Sequence, residues 1–349
     1  MKRNIIYIHV GLSSFVKKDI EILKGAYDLK LFYFNLSSKK NLPLSFLRQL
    51  IFLIKTVFYS NTIVIQFAGY QSFLPVIFSK ITKKKVIIIL GGTDCVGFPS
   101  IHYGCFYNTK LKYFTAYSIK RASLLLPVDQ SLVEYNYTYQ NEDYPKQGYK
   151  FHVPSANTPY KVIYNGYDQS KWTPGIKETN SFVTVGSDFT TKFGVKLKGI
   201  DLILSIAPKF PECKFYIVGQ SGIHIAAPEN VQLISFIPNE KLSDFLSSKQ
   251  FYLQLSMSEG FPNALCESML CGCIPIVSNV GAMPMIVQNT GFILLNKDLM
   301  MLKDLINQAL NDKHLLERSI KSRRIISENY TINDRQLLLI KEINSIIDL

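Results

Sequence analysis

Short apolar segments alternate with longer amphipathic segments along most of this chain, and this pattern limits the folds available to it. The apolar segments are typical of buried β-strands, and the segments between them have the length of helices. Strands that alternate with helices form a parallel sheet covered on both faces. In the first half we predict strands at Ile5–Val10, Leu29–Phe34, Thr62–Phe67, Lys85–Leu90 and Ser123–Pro127, and helices at Lys17–Ala26, Leu44–Tyr59, Tyr70–Lys80 and Leu111–Arg121.

The alternation resumes after an irregular stretch, Tyr137–Tyr160, and an Asn-Gly turn at 165–166. A length of 349 residues fits two domains at roughly 150 residues each. We therefore expect an α/β protein with two tandem Rossmann-like doubly wound domains, residues 1–165 and 166–330, facing across a cleft. Predicted strands here are Phe182–Val185, Lys214–Val218, Val231–Ile234, Phe251–Leu255 and Ile274–Val277, and predicted helices are Gly199–Ala207, Asn239–Ser247, Pro262–Leu270, Asp298–Asn311, His314–Asn329 and Asp334–Ile347.

The positive charge is confined to the first half. The net charge is +13; residues 1–165 carry 21 Lys and Arg against 8 Asp and Glu, whereas the remaining residues balance. Such an asymmetry indicates a polyanionic partner: nucleic acid, an anionic membrane or a phosphorylated substrate. A solvated basic surface is the alternative. Arg48 and Lys55 interrupt a strongly apolar helix, which either lies on a membrane or packs on the sheet.

Cysteine spacing and the apolar segments indicate a cytoplasmic protein. None of the six cysteines forms a CxxC pair, so we expect reduced core residues. The apolar run after Lys2 and Arg3 is too short for a signal peptide. The uncharged stretch from Thr56 to Ser79 contains several polar residues and a proline, so a strand, a loop and a helix fit it better than a membrane span. Peripheral attachment to the inner face of the membrane remains open.

The most informative segment is SEGFPNALCESMLCGCIPIVS, Ser258 to Ser278. It predicts a strand end, a glycine turn and a helix that is almost wholly apolar, whose single charge is Glu267. A carboxylate in that setting is costly unless it accepts specific hydrogen bonds, which a ribose diol or a neighbouring loop backbone would donate. Glu259 stands near the carboxyl end of the strand, where ligands bind in this sheet type, or complements the helix dipole.

Glu259 and Glu267, separated by seven residues, resemble the Glu-x7-Glu motif of the family-4 retaining glycosyltransferases, which have the GT-B fold. The resemblance extends through VTVGS, LKGIDLIL, KFYIVGQSG, NVQLISFIPNEKLSDFL and CGCIPIVSNVGAMPMIV, and YNGYD is similar to the domain-junction motif. The first half matches only in pattern. The resemblance implies that residues 331–349 form a helix that packs back on the first domain.

The resemblance also implies roles for the matching residues. Glu267 would bind the ribose hydroxyls, Glu259 would contact the transferred sugar, and the backbone at Gly260 and Phe261 would approach the sugar and diphosphate closely. Lys198 would neutralise the diphosphate. Lys198 precedes a predicted helix, where a bound diphosphate reverses the penalty of a cation and uses free backbone N–H groups.

Two positions depart from the family pattern. Ser187 stands where the family usually has a basic residue, and either Lys192 or Lys196 could supply that charge. Gly281 belongs to a segment that matches the glycine-rich donor loop, but Met285 stands where an acid is common, which leaves the sugar open.

Two residues of the first half also follow predicted strands. Gly11 fits a phosphate- or acceptor-binding loop or a simple chain reversal, and we include it among the donor-binding candidates. Asp94, in a turn where the family often has a histidine, would contact a sugar hydroxyl or the acceptor, or cap the next segment, and we include it with Glu259 and Lys198 among the catalytic candidates.

The resemblance implies a retaining, metal-independent glycosyltransferase without a cofactor. Its donor would be a nucleotide-diphosphate sugar, UDP-sugar favoured and GDP-sugar possible, and its acceptor a glycan or a lipid-linked molecule in cell-surface polysaccharide synthesis. No metal-ligand spacing is present. The alternatives are a nucleic-acid-binding protein, for which no RNP-like, zinc or helix-turn-helix signature is found, and a non-catalytic nucleotide-sugar-binding protein.

Overall fold

A computed structural model describes residues 2–186, 192–219 and 226–348. The chain divides into two compact units. The first contains Met1–Tyr135, Lys146–Asn165 and Asn333–Leu349, and the second contains Asn136–Pro145 and Gly166–Ile332. All six cysteines are buried and free of disulfides. No helix in the described ranges has the length and apolarity needed to cross a bilayer.

The first unit is built on a five-stranded parallel sheet with strand order β2-β1-β3-β4-β5. The strands are β1 (Asn4–His9), β2 (Asp28–Tyr33), β3 (Thr62–Gln66), β4 (Lys85–Leu90) and β5 (Leu124–Pro127), and the helices between them are α1 (Ser14–Ala26), α2 (Leu42–Lys55), α3 (Tyr70–Thr82) and α4 (Thr109–Ile119). Strands β1, β3, β4 and β5 are almost wholly buried, which agrees with their continuous apolar sequence. Three short elements follow: β6 (Tyr135–Asn136), β7 (Lys146–Gln147) and α5 (Tyr149–His152).

The second unit is built on a six-stranded parallel sheet with strand order β10-β9-β8-β11-β12-β13. The strands are β8 (Glu178–Val185), β9 (Lys214–Val218), β10 (Val231–Ile234), β11 (Lys249–Gln254), β12 (Ile274–Ser278) and β13 (Phe292–Leu294), and the helices are α6 (Lys192–Leu197), α7 (Ile200–Ile206), α8 (Asn239–Ser247), α9 (Asn263–Leu270), α10 (Met283–Val287), α11 (Leu299–Leu310) and α12 (Leu315–Asn329). The register sets Phe182 between Phe215 and Phe251. Their rings stack at centroid distances of 4.9 and 4.8 Å in the core.

The last helix, α13 (Ile332–Ile347), belongs almost entirely to the first unit. Arg335 on this helix forms a bidentate ion pair with Asp19 of α1, with both N–O distances at 2.7 Å. It also donates to the carbonyl oxygens of Ile163 and Tyr164. Both charged side chains are almost completely buried, so the pair fixes the helix to α1 and to the chain segment beside β5.

Two features of the second unit differ from the sequence prediction. Strand β13 and helices α6 and α10 were not predicted, because each is too short to show a periodic pattern. Residues 136–145, predicted in the first domain, belong to the second unit. Their attachment is local to that unit: Tyr137 N donates to Pro145 O, and Tyr139 O accepts a hydrogen bond of 2.8 Å from Lys297 N.

Candidate functional site

Glu259 is the centre of a polar cluster in the second unit. Its Oε1 atom accepts three hydrogen bonds, from Lys198 Nζ at 2.6 Å, Ser256 Oγ at 2.8 Å and Gln254 Nε2 at 2.9 Å. Gln254 ends β11 and Ser256 follows it, so the cluster lies at the carboxyl end of a central strand. This is the edge at which α/β sheets bind ligands.

Tyr252 fixes the orientation of the Gln254 amide. Its hydroxyl donates to Gln254 Oε1 at 3.0 Å, so the amide nitrogen faces Ser256 and Glu259. Burial raises the pKa of Tyr252 well above its usual value, and the charges of Glu259 and Glu267 raise it further. The tyrosine therefore stays protonated and keeps its donor role.

Sequence reasoning missed Tyr252, Gln254 and Ser256. A signal was present, because Gln254 is a polar residue inside an otherwise apolar strand segment, and a buried amide requires hydrogen-bond partners.

Backbone contacts bring Lys198 to this cluster. Lys198 lies between α6 and α7, and Met257 N donates to Leu197 O at 2.8 Å. The next residue, Gly199, has a φ of +68°, and a Cβ there would lie 2.2 Å from Leu255 O. Because only glycine tolerates both the conformation and the approach, the α6–α7 junction lies directly against the loop that carries Glu259. The structure therefore brings Lys198 and Glu259, two of the predicted site residues, into one polar cluster.

Gly281 supports the other side of the same loop. It has a φ of +57°, and a Cβ at this position would lie 2.1 Å from Glu259 O. Ser278, at the end of β12, donates to Ser256 O at 2.6 Å. The segment after β12, predicted as a donor loop, thus packs on the backbone of Glu259. Met285, on α10, is partly exposed.

Glu267 is buried on α9, with 3% of its surface exposed. Every residue from Leu265 to Leu270 is buried, as the apolar sequence predicts. A carboxylate at this depth carries a desolvation cost that specific polar partners must offset. Its position eight residues after Glu259 places the two carboxylates on a loop and the helix that follows it.

Aromatic packing fixes the residues between Glu259 and Glu267. Phe261 is buried, and its ring lies 5.2 Å from Tyr330 in an edge-to-face arrangement and 6.4 Å from Tyr167 in a stacked one. The Tyr167 hydroxyl donates to Asn263 Oδ1 at 2.9 Å, at the start of α9. These contacts fix the loop containing Gly260, which is itself buried.

Lys192 and Lys196 are the two candidates for the basic charge missing at Ser187. Ser187 and the side chain of Lys192 lie outside the described residues. Lys196 is exposed on α6. Among the described residues, no group of three His, Cys, Asp or Glu side chains is arranged to hold a metal ion.

In the first unit, Asp94 is a buried structural acceptor. One carboxylate oxygen accepts from Gly91 N and Gly92 N at 3.1 and 3.0 Å, and the other accepts from Ala68 N at 3.0 Å. Burial raises the pKa of Asp94, and these hydrogen bonds oppose that rise. Asp94 therefore joins the turns that follow β3 and β4. Gly11 is partly buried, and an added Cβ would contact nothing within 4 Å.

Asp94 also lines a cavity of 440 Å³ within the first unit, at the carboxyl ends of β1, β3 and β4. The lining is mostly apolar and includes Val10, Leu42 and Phe67. Phe67 has a φ of +67°, an uncommon conformation for a bulky residue. A Cβ on Gly91 would lie 2.1 Å from the Phe67 ring, so glycine at 91 is required beside it.

Comparison with known proteins relates the second unit to sugar-transferring enzymes. Residues 192–329 match the family model of the glycosyl transferases group 1. Among curated proteins, the GPI3 subunit of phosphatidylinositol N-acetylglucosaminyltransferase from Saccharomyces cerevisiae is 27% identical over 38% of this chain and 32% of its own length. The capsular polysaccharide biosynthesis glycosyltransferase CapH from Staphylococcus aureus is 29% identical over 35% of this chain and 37% of its own length. The matched segments thus span about a third of these relatives.

Solved structures resemble nearly the whole chain. Sucrose-phosphate synthase from Thermosynechococcus elongatus superposes with a TM-score of 0.77 at 12% identity, covering 99% of this chain and 100% of that one. Anabaena HepE in complex with UDP-glucose superposes with a TM-score of 0.72 at 14% identity, covering 98% and 99%. The fold is that of the GT-B glycosyltransferases, so the predicted resemblance to enzymes of this fold is confirmed, and the match to the group 1 model is consistent with family 4.

Proposed function

We propose, from the match of residues 192–329 to the group 1 glycosyl transferases, that this protein is a retaining, metal-independent glycosyltransferase. It transfers a sugar from a nucleotide-diphosphate sugar to a glycan or lipid-linked acceptor in cell-surface polysaccharide synthesis, at the cytoplasmic side of the membrane. The observation that carries this proposal is the contact between Lys198 and Glu259, whose carboxylate is held by buried donors at the carboxyl end of β11.

Glu259 contacts the transferred sugar in this mechanism. Its three hydrogen bonds from the described residues all go to Oε1, so Oε2 is the oxygen placed to meet a sugar hydroxyl. The side chain is 12% exposed, which allows contact with a ligand while excluding most water. Gln254 and Ser256 prevent the carboxylate from rotating, so its charge is already oriented when positive charge develops on the sugar.

Lys198 stabilises the departing diphosphate. Negative charge grows on this group as the glycosidic bond breaks, and a fixed ammonium group nearby lowers the energy of that transition state. The ion pair with Glu259 holds the Lys198 ammonium group beside the carboxylate that contacts the sugar. Glu267, buried on α9, binds the ribose hydroxyls, the role that its match to the second motif glutamate implies. The nucleotide sugar is a co-substrate, and the mechanism uses no separate cofactor.

UDP-sugars are the favoured donors and GDP-sugars the alternative. HepE, similar in fold, was solved with UDP-glucose. A lipid or a surface glycan is the favoured acceptor, because the curated relatives are named for phosphatidylinositol glycosylation and capsular polysaccharide biosynthesis. The apolar cavity beside Asp94 is a candidate for binding part of that acceptor.

A donor screen tests the proposal. The protein is incubated with UDP-, GDP- and ADP-sugars, release of the nucleotide diphosphate is measured, and the anomeric configuration of the released or transferred sugar is determined by NMR. We expect one nucleotide to be favoured and the configuration to be retained. Lys198→Ala should abolish most of this activity, whereas Lys209→Ala, a matched change at an exposed lysine outside the polar cluster, should preserve it.

Two outcomes would reject the proposal. Tight binding of a nucleotide diphosphate without turnover of any donor, with acceptor extracts present, would favour a non-catalytic nucleotide-sugar-binding protein. Nucleic-acid binding that survives moderate salt, without binding of any nucleotide diphosphate, would favour the nucleic-acid-binding alternative.

A further inference from the structure

Helix α2 of the first unit exposes its apolar side chains. Five aliphatic residues on its outer face are between 40% and 56% exposed: Leu44, Leu47, Leu50, Ile51 and Ile54. Phe58, directly after the helix, is fully exposed. A surface helix of a globular protein normally shows the reverse arrangement, with its apolar stripe on the core.

The inner face of the same helix carries polar residues whose hydrogen bonds are formed within the unit. Ser45 Oγ donates to Asn35 O at 2.9 Å, and Gln49 Nε2 donates to Gln71 O at 2.7 Å. Both residues are buried. Because these bonds fix the rotation of α2, the helix cannot turn its leucines inward without leaving buried polar groups unsatisfied. The apolar outer face is therefore a fixed feature of the fold.

The exposed face continues across the neighbouring helices as a belt of partly exposed aromatic rings. Phe46 of α2 lies 6.2 Å from Tyr70 of α3, and Phe73 of α3 lies 4.7 Å from Phe114 of α4. Tyr113, on the outer side of α4, is largely exposed. Tyrosine and phenylalanine beside an aliphatic stripe are suited to the boundary between acyl chains and headgroups.

Basic residues surround this face, and acidic residues are absent from its sequence. From Leu29 to Val128, a stretch that includes α2, α3 and α4, the only acidic residue is Asp94, which is buried. The same stretch contains 13 Lys and Arg. Arg48 and Lys55 lie on the outer side of α2, and Lys120 and Arg121 follow α4, all of them exposed. The surface thus combines apolar side chains with uncompensated positive charge.

We propose that the outer face of α2, together with the adjoining surface of α3 and α4, docks on an anionic lipid bilayer. The leucines, isoleucines and Phe58 enter the interface, while Arg48 and Lys55 contact anionic headgroups. Charge complementarity selects this occupant. A second copy of the chain would bring like charges together, and a nucleic acid would leave the aliphatic stripe in water. The inference does not need the proposed function; combined with it, it favours a lipid-linked acceptor.

Vesicle flotation at low salt tests the docking surface. The full-length protein is mixed with phosphatidylcholine vesicles that contain phosphatidylglycerol, and with vesicles of phosphatidylcholine alone. We expect binding to the anionic vesicles and a decrease as salt is added, because screening weakens the headgroup contacts. The double variant Arg48→Gln/Lys55→Gln should reduce partitioning about thirtyfold, since each basic residue contributes about 1 kcal/mol at an anionic surface.

The apolar contribution is tested by Leu47→Ser/Ile51→Ser/Ile54→Ser, which should reduce partitioning by more than about tenfold. The matched control is Leu316→Ser/Ile320→Ser, two aliphatic residues on α12 of the second unit that are 75% and 60% exposed. Circular dichroism establishes that each variant is folded. Absence of wild-type binding to anionic vesicles, or an equal loss in the control, would overturn the proposal. So would a concentration-dependent dimer that the triple variant abolishes while vesicle binding persists unchanged.

Discussion

Replacing Ser256 with alanine removes one of the three hydrogen bonds that Glu259 Oε1 accepts. The serine is completely buried and its Oγ lies 2.8 Å from that oxygen. Alanine fits the same space, so the backbone after β11 should be preserved. The remaining donors, Lys198 and Gln254, keep the carboxylate nearby but hold it less firmly.

The magnitude follows from the kind of bond that is lost. A hydrogen bond to a charged group contributes about 1.5–3 kcal/mol. If the carboxylate must be oriented when charge develops on the sugar, that loss appears in the transition state and lowers kcat by about 10- to 150-fold. Nucleotide binding should change little, because the proposed contact of Glu259 is with the sugar. If Ser256 had only a structural role, its replacement would lower the free energy of unfolding. It would not lower kcat while leaving nucleotide affinity unchanged.

The assay combines steady-state kinetics with calorimetry of the nucleotide diphosphate. Ser268→Ala is the matched control: Ser268 is also completely buried, but its hydroxyl donates to Leu265 O within α9. We expect the control to retain kcat. Equal kcat in Ser256→Ala and the wild type, with both variants folded, would refute the role assigned to this hydrogen bond.

Two further predictions concern stability. Arg335→Met leaves Asp19 buried without its ionic partner and should lower the free energy of unfolding by about 3–5 kcal/mol, measured by urea denaturation; a loss near zero would contradict the anchoring of α13. Burial alone would raise the pKa of Glu178, but hydrogen bonds from Lys249, Lys214 and Tyr216 outweigh it and lower the pKa to about 2. The stability that these contacts contribute should be complete above the usual pKa of 4.5 and be lost as the pH falls toward 2. In Glu178→Gln, the midpoint temperature of thermal unfolding should therefore fall less steeply between these pH values than in the wild type, and an equal fall in both would contradict the assignment.

The periodic patterns predicted the two parallel sheets because long buried strands and helices leave clear signals. The glutamate motif likewise located the cluster around Glu259, since Glu259, Lys198 and Gly281 all belong to ordered motifs. Short elements such as β13 and α10 span too few residues for any period to be visible.

Other parts of the site could not be predicted from local sequence. The hydrogen bonds of Gln254 and Ser256 depend on side chains brought together by strand packing, and the role of Asp94 depends on backbone groups from two turns. The outward apolar face of α2 was also undetermined, because the sequence shows that the helix is apolar but not which side the sheet covers. The polar contacts of Ser45 and Gln49 decide that rotation.

Calorimetry of the nucleotide diphosphate with Glu267→Ala and Glu259→Ala tests the arrangement of the donor site most directly. Glu267 is assigned to the ribose and Glu259 to the sugar. We therefore expect Glu267→Ala to weaken nucleotide binding by about 10- to 150-fold, the equivalent of a lost hydrogen bond to a charged group, while Glu259→Ala retains nucleotide binding and loses turnover. Loss of nucleotide binding in a folded Glu259→Ala, with binding intact in Glu267→Ala, would contradict both assignments.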